Sequence, residues 1–267
     1  MTEQSTSPAD RPEADPAPQG TPAPARRGGL ALAALGLLGE LLITLGLVLA
    51  LFVGYSLWWT DVLADRKADR AGDQLRGAWS APAPAPGPSA GGRVPSQPPA
   101  AGQSYAAGDA VGFLHVPAMG SGYQVLIRMG TDAATLSEGV AGVYEQPYRS
   151  AMPWDEQGNF ALAAHRDGHG AKFHDLDALK KGDAIVVETR DSWYVYRVDS
   201  TLPETSKYDT GIVAPVPKGS GYHSPGRYVT LTTCTPVYTS RYRMAVWGSL
   251  VRVDPVDAAR TPPAELR

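Results

Sequence analysis

The sequence predicts a mostly β fold, a closed and largely antiparallel barrel, preceded by one transmembrane helix. Three observations support this. The apolar runs of the second half are short and rich in β-branched residues, as in Arg227-Tyr228-Val229-Thr230-Leu231-Thr232-Thr233-Cys234. Few helical stretches separate them, and many short strands with few helices favour a barrel. Ahead of them stands a single long apolar run, Leu30 to Trp59.

Composition bounds the function. The chain has 267 residues, a net charge of -3 and 19% charged residues. Its basic residues are scattered and do not alternate with aromatics, so no nucleic-acid partner is expected. The single cysteine rules out an internal disulfide and a cysteine-based zinc site. Of the 24 prolines, 13 fall in residues 1–28 and 81–99, which marks two segments of unfolded composition.

Residues 1–28 hold Pro, Ala, acids and Ser/Thr without a large apolar side chain. They bury too little to offset ordering entropy and are expected to form a disordered tail. Residues 29–59 are expected to form the transmembrane helix, with Glu40 the only charge between Leu30 and Trp59. From Leu41 to Trp59 there are 19 uncharged residues. As a helix they span ~28 Å, against a bilayer core of about 30 Å. Tyr55, Trp58 and Trp59 cluster at the far end, as interfacial aromatics do. A cleaved signal peptide would have an apolar core of roughly 7–15 residues and a small-residue cleavage site, and this run has neither. Charge does not orient the helix, because Arg26 and Arg27 precede it while Arg66, Lys67, Arg70 and Arg76 follow. Residues 60–79 alternate charges with helix formers and read as a short solvated juxtamembrane helix. Residues 80–104 are a Pro/Ala/Gly-rich linker reaching up to ~3.1 Å per residue.

The folded domain is expected over residues 105–254, with 255–267 as a C-terminal tail. Strands are read at Val111–Val116, Tyr123–Ile127, Asn159–Ala164, Asp183–Thr189, Trp193–Val198, Arg227–Cys234 and Arg241–Trp247. Arg190-Asp191-Ser192 reads as a hairpin turn. Helical pieces are read at Asp132–Glu138 and Asp175–Lys180, the second closed by Gly182.

Strand alternation places Val229, Leu231 and Thr233 on one face and Thr230, Thr232 and Cys234 on the other. The apolar set belongs to the core, so the thiol points toward a groove, and Pro236 ends the strand. A buried small hydrophobe is the ordinary role of a free cysteine, and a nucleophile is the competing reading. A thiol nucleophile needs a nearby base or cation, usually histidine. Of the five histidines, His165 is the best placed, at the end of an apolar strand. In the last strand Arg243 and Arg241 share the groove face, where a fixed cation can meet charge developing on a carbonyl oxygen. His165, His169 and His174 invite a metal reading, but Gly168 and Gly170 break the helix that the i, i+4 spacing would need, so no metal is expected. No G-x-S-x-G, P-loop or Rossmann glycine pattern occurs.

Taken together, three motifs resemble the sortase family. They are Thr230-Leu231-Thr232-Thr233-Cys234, Arg243 nine residues on, and the strand Asn159-Phe160-Ala161-Leu162-Ala163-Ala164 leading to His165. Residues 39–60 and 183–194 look like the anchor and a strand pair of class E sortases of actinobacteria. The resemblance covers about 39–60 and 110–253. It implies an eight-stranded sortase-type barrel outside the membrane and the tail inside. It also implies a cysteine transpeptidase that cuts a C-terminal sorting signal after threonine and joins that threonine to a cell-wall amine. Secreted proteins bearing the signal and a cell-wall precursor are the implied partners, and no cofactor is expected. Cys234 would be the nucleophile, His165 the general acid/base and Arg243 the oxyanion or substrate group, with Arg241 the alternative to Arg243. Class E members prefer Leu-Ala-x-Thr-Gly over Leu-Pro-x-Thr-Gly, with help from a tyrosine for which Tyr144 and Tyr148 are the candidates. Thr232 and Thr233 are further substrate-binding candidates.

The chain departs from the family pattern at Thr235-Pro236, where His-Pro is usual, and at Ala163-Ala164-His165, where Ala-Gly-His is usual. The stretch from Tyr144 to Trp154 fits loosely, which bears on substrate preference. Leu202-Pro203-Glu204-Thr205 mimics half a sorting signal but lacks the following glycine and reads as a strand end turning at Pro203. A thiol peptidase using water as acceptor and a non-catalytic binding barrel are the rival functions. An L,D-transpeptidase fits poorly, because its Ser/His-x-Gly-Cys setting is absent.

Overall fold

The computed structural model describes residues 27–80 and 105–267, so the expected tail and linker fall, but for their end residues, outside the described residues. One helix, α1 (Arg27–Ser80), leads into the rest. No proline interrupts it, and Pro82 follows its end. It is the one described helix long and apolar enough to cross a membrane. Leu35, Leu38, Leu42, Leu45 and Leu49 all lie exposed along it.

The compact body comprises Val53–Arg267. Its strands are β1 (Ala110–His115), β2 (Gln124–Met129), β3 (Ala141–Val143), β4 (Gly158–Ala163), β5 (Ala184–Glu188), β6 (Ser192–Ser206), β7 (Arg227–Thr235) and β8 (Tyr242–Pro255). They close into a barrel in the order β1-β2-β3-β4-β7-β8-β6-β5. Two pairs are parallel, β2–β3 and β4–β7, and the rest antiparallel. The short helix α2 (Ala133–Leu136) makes the β2–β3 crossover, and the Asp132 side chain caps it by accepting from the Ala134 and Thr135 amides. Gly142 lets β3 approach closely, because a Cβ there would lie 2.2 Å from the Gly130 carbonyl oxygen.

Two apolar layers hold the site strands. Inside the barrel, Phe160 and Leu162 of β4 meet Val229 and Leu231 of β7 and Met244 and Val246 of β8. Outside it, Ala161, Ala245 and Trp247 are covered by Ile212 and Val213 of a 3-10 turn. Trp247 donates its indole hydrogen to the Ile212 carbonyl at 2.9 Å. β4, β7 and β8 are therefore packed on both faces, and each buried leucine or isoleucine contributes about 1.5–3 kcal/mol.

Four features differ from the sequence reading. β3 was not anticipated, being three small or medium residues without an alternating run. β6 does not end at Pro203 but runs on to Ser206, because the register shifts between Leu202 and Thr205 and the proline sits in that irregularity. Residues 60–79 do not form a separate solvated helix. They continue α1 and lay one face on the barrel, where Ala64, Ala68 and Leu75 are buried. Gly72 faces the Phe113 ring, and the Trp79 ring meets Phe113 edge-on at 5.5 Å. The 255–267 stretch also packs back. Arg260 reaches the buried Glu188, and Glu265 pairs with Arg197 and Arg252.

Candidate active site

β7 brings Cys234 to the rim of the barrel. Val229 and Leu231 point into the core, while Cys234, on the opposite face, is partly exposed. The intervening threonines of the outer face are buried and hydrogen-bonded. Thr230 donates to the Asn159 side-chain oxygen at 2.7 Å, and Thr232 to the Leu162 carbonyl at 3.2 Å. On the inner face, Thr233 donates to the Ala164 carbonyl at 2.8 Å. The hydroxyls of Thr232 and Thr233 thus tie β7 to β4 on either side of the ladder.

His165 reaches the site through that parallel ladder. Ala163 of β4 is the register partner of Thr232, and the Ala164 amide donates to the Thr232 carbonyl. Two further residues along each strand bring the chain to His165 and to Cys234, so the two arrive level at the same barrel rim. Beyond it Arg166 is buried and spans the strand ends. Its guanidinium donates to Thr235 Oγ1 at 3.1 Å and to the His174 carbonyl at 3.2 Å, and pairs with Asp177 at 2.7 Å. The Asp167 carboxylate accepts from the Tyr238 amide at 2.7 Å, past the end of β7. Sequence reasoning missed Arg166 as the strut between the histidine loop and the cysteine strand. Its partners lie far along the chain, and nothing local distinguishes it from a solvated arginine.

The His165 imidazole is partly exposed, and its ring centroid lies 5.0 Å from that of His169. Its proton affinity is lowered from the ordinary value of 6.5, first by burial and then by His169, with Asp167 opposing. At neutral pH the imidazole is therefore mainly neutral.

Arg243 of β8 is the direct antiparallel register partner of Cys234. Residues opposite each other in such a pair project to the same face. Its Nη1 donates to the Tyr242 carbonyl at 2.9 Å and the Ser240 carbonyl at 3.2 Å. Arg241, by contrast, precedes β8, lies exposed and stacks over the Tyr242 ring. Tyr144 completes the arrangement. Its hydroxyl and Thr232 Oγ1 are hydrogen-bonded at 3.0 Å. Burial raises the proton affinity of this phenol, while the hydrogen bond to Thr232 and the charge of Arg243 lower it and Cys234 raises it further. The ring thus lies within electrostatic reach of both groups. Tyr148 is exposed.

A thiol, an imidazole and a guanidinium at one rim, with a partly buried tyrosine bonded to the cysteine strand, suit nucleophilic attack on a carbonyl. The sortase domain family profile matches residues 114–251. The chain belongs to the sortase family. Sortase SrtE2 of Streptomyces coelicolor is 53% identical to it over 243 residues, which is 91% of this chain and 92% of that one. Sortase SrtE1 of the same organism is 40% identical over 86% of this chain and 61% of its own length. The crystal structure of Streptomyces coelicolor sortase E1 with a tripeptide in the active site has a TM-score of 0.56 and 43% identity, covering 59% of this chain and 96% of that one. Sortase E of Streptomyces avermitilis has a TM-score of 0.54 and 34% identity, over 61% of this chain and all of that one. This sortase is therefore a cysteine transpeptidase of the class E group, with the closed eight-stranded barrel that the resemblance implied.

Proposed function

We propose that this sortase is held in the cell membrane by α1, tail inside and barrel outside, and anchors secreted proteins to the cell wall. It cleaves a C-terminal sorting signal of the Leu-Ala-x-Thr-Gly or Leu-Pro-x-Thr-Gly type between threonine and glycine. The observation that best supports this reading is the register that aligns Cys234 with Arg243 across β7–β8 and with the His165 end of β4.

In this reading the neutral His165 takes the proton of the Cys234 thiol, and the resulting thiolate attacks the threonine carbonyl carbon. The negative charge that builds on the carbonyl oxygen meets the Arg243 guanidinium. The carbon–nitrogen bond then breaks, leaving a thioester to Cys234, and His165 gives its proton to the departing glycine amine. The amine of a cell-wall precursor next attacks the thioester. His165 takes a proton from it, the new amide forms, and the Cys234 thiolate is released. Tyr144, through Thr232, and the backbone around Thr232 and Thr233 shape the groove that receives the signal. The tripeptide in the active site of the Streptomyces coelicolor enzyme supports a peptide occupant here.

The test uses the full chain in detergent micelles with a Leu-Ala-x-Thr-Gly peptide, with and without a diaminopimelate-type or glycine amine, read by mass spectrometry. Amine-linked product that disappears in Cys234→Ala is expected. Free acid alone would make the enzyme a peptidase, and equal product from Cys234→Ala would remove the nucleophile assignment.

A further inference from the structure

The face that α1 lays on the barrel is directed at the loop that carries His165. The Asp61 carboxylate accepts from the Gly170 amide at 2.8 Å, and Asp65 pairs with Lys172 at 2.7 Å. Ala64, between them, is buried against Gly139, where a Cβ would lie 3.2 Å from Ala64. A Cβ on Gly170 would come within 2.7 Å of Asp65 Oδ1 and 3.6 Å of Gly139 Cα. Helix, β3 approach and histidine loop are thus close-packed at one point, with no room for side chains.

The loop needs such a hold. Gly168, His169, Gly170 and Ala171 run consecutively at positive φ, and two of them are not glycine (φ 50° for His169, 41° for Ala171). That conformation is costly for residues with a Cβ and persists only where surroundings impose it. Within the loop the backbone bonds are Ala171 N–H to the Gly168 carbonyl and Phe173 N–H to the His165 carbonyl, both 2.9 Å. Phe173 anchors one end in the core, and Tyr123 donates to the Lys172 carbonyl. The stretch around Gly170 is fixed from outside by α1, one residue from His169 and its ring contact with His165.

We propose that residues 60–79 of α1 belong to the catalytic body, and that Asp61 and Asp65 are positioning residues that hold the His165–Phe173 loop in register with Cys234. This rests on the transpeptidase reading for its turnover test, but a second readout does not. Cys234 is the only cysteine in the chain, so its alkylation by iodoacetamide at fixed pH reports thiol reactivity without substrate. A thiolate depends on its neighbouring base or cation, so a displaced histidine loop alters that rate.

The experiment compares the full chain in detergent with Asp61→Ala, Asp61→Asn, Asp65→Ala and the exchange of Asp65→Lys with Lys172→Asp. Both alanine variants are expected to lower kcat by about tenfold or more with KM nearly unchanged, the signature of misplaced rather than weakened binding. Cys234 alkylation should slow in parallel. Asp61→Asn, which keeps the acceptor, and the charge exchange should recover most of both rates. The proposal is overturned if both rates persist in Asp61→Ala and Asp65→Ala. It is equally overturned if they fall only in proportion to the folded fraction measured by circular dichroism, with no recovery in Asp61→Asn. Wild-type chain that shows no Cys234-dependent turnover would overturn the transpeptidase reading alone, and the alkylation series would still decide this one.

Discussion

Cys234 and Arg243 face each other across the antiparallel β7–β8 ladder, one register step from the rim of the barrel. The pairing fixes which of two neighbouring arginines can serve the thiol. Arg243 Nη1 is held by two carbonyls, while its Nε and Nη2 meet no acceptor among the described residues. Those donors are available to an oxyanion on a carbon bonded to Cys234. Arg243→Ala is therefore expected to lower kcat by about 10²–10³-fold, the usual effect of losing an oxyanion donor. Arg243→Lys should restore little, since an ammonium lacks the planar fork. Arg241→Ala, off the strand and exposed, should stay within about threefold of the parent in peptide-cleavage kinetics. Equal losses from the two arginines would refute the assignment.

The His165–His169 contact sets a pH dependence with a definite sign. Burial first, and then His169, disfavour the imidazolium of His165, so its folded-state value lies below 6.5. A depressed histidine favours the fold while neutral; that contribution is fully present above the unfolded value of about 6.5 and is lost as pH falls from there through the lower folded value. His169→Gln removes the like charge and leaves the burial. The ionisation of His165, followed by NMR of the labelled imidazole, should move upward in the variant while remaining a single transition. An unchanged or lowered value would show that His169 does not act on His165. His165→Ala itself should cost about 10²-fold or more in acyl transfer.

Much of this arrangement was legible in the sequence, and the reasons for the exceptions are physical. β7 announced itself through β-branched alternation and a proline just after it. The rim position of His165 followed from the end of an apolar strand. The docked half of α1 was hidden because its buried face is Asp61, Ala64, Asp65, Ala68, Gly72 and Leu75. The spacing is helical, but only leucine among them is strongly apolar, so a moment-based reading sees a solvated helix. β3 was hidden because three residues give no period. Arg166 was hidden because its role depends on Thr235 and Met244, which only the fold brings to it.

On the side of the barrel where α1 and the C-terminal stretch meet, Glu188 is 1% exposed and gathers two arginines and a histidine. It pairs with His115 and Arg260 at 2.9 Å and with Arg76 at 3.1 Å. Burial alone would raise its proton affinity, but these partners hold it below the usual 4.5. A depressed carboxylate stabilises the fold above its unfolded value and loses that contribution as pH falls through the folded one. Glu188→Gln leaves Arg76 and Arg260 without their counter-charge and should cost about 3 kcal/mol at pH 7. Urea midpoints at pH 7 and in the acid range, below 4.5, should show the gap between parent and variant narrowing with acid. A gap independent of pH would mean that shape, not charge, is what Glu188 supplies.

Tyr144 and Tyr148 were equal candidates for the tyrosine that tunes the sorting-signal preference, and their surroundings separate them. Tyr144 is joined to Thr232 on the cysteine strand by a 3.0 Å hydrogen bond and lies within electrostatic reach of Cys234 and Arg243. In the proposed reaction this tyrosine is the candidate to meet the substrate side chain two residues before the scissile threonine, alanine or proline in the two signal types. Tyr148 is 39% exposed. Tyr144→Phe removes one hydroxyl and leaves Thr232 with one hydrogen bond fewer, a change worth about 0.5–1.5 kcal/mol. The ratio of kcat/KM for Leu-Ala-x-Thr-Gly over Leu-Pro-x-Thr-Gly should therefore shift by about 2- to 10-fold in Tyr144→Phe. Tyr148→Phe should leave the ratio within about twofold, since surface substitutions away from such contacts have small effects. Competition between the two peptides in one tube, with products counted by mass spectrometry, measures the ratio directly. A shift in Tyr148→Phe with none in Tyr144→Phe would move the preference from the Thr232-bonded tyrosine to the exposed one.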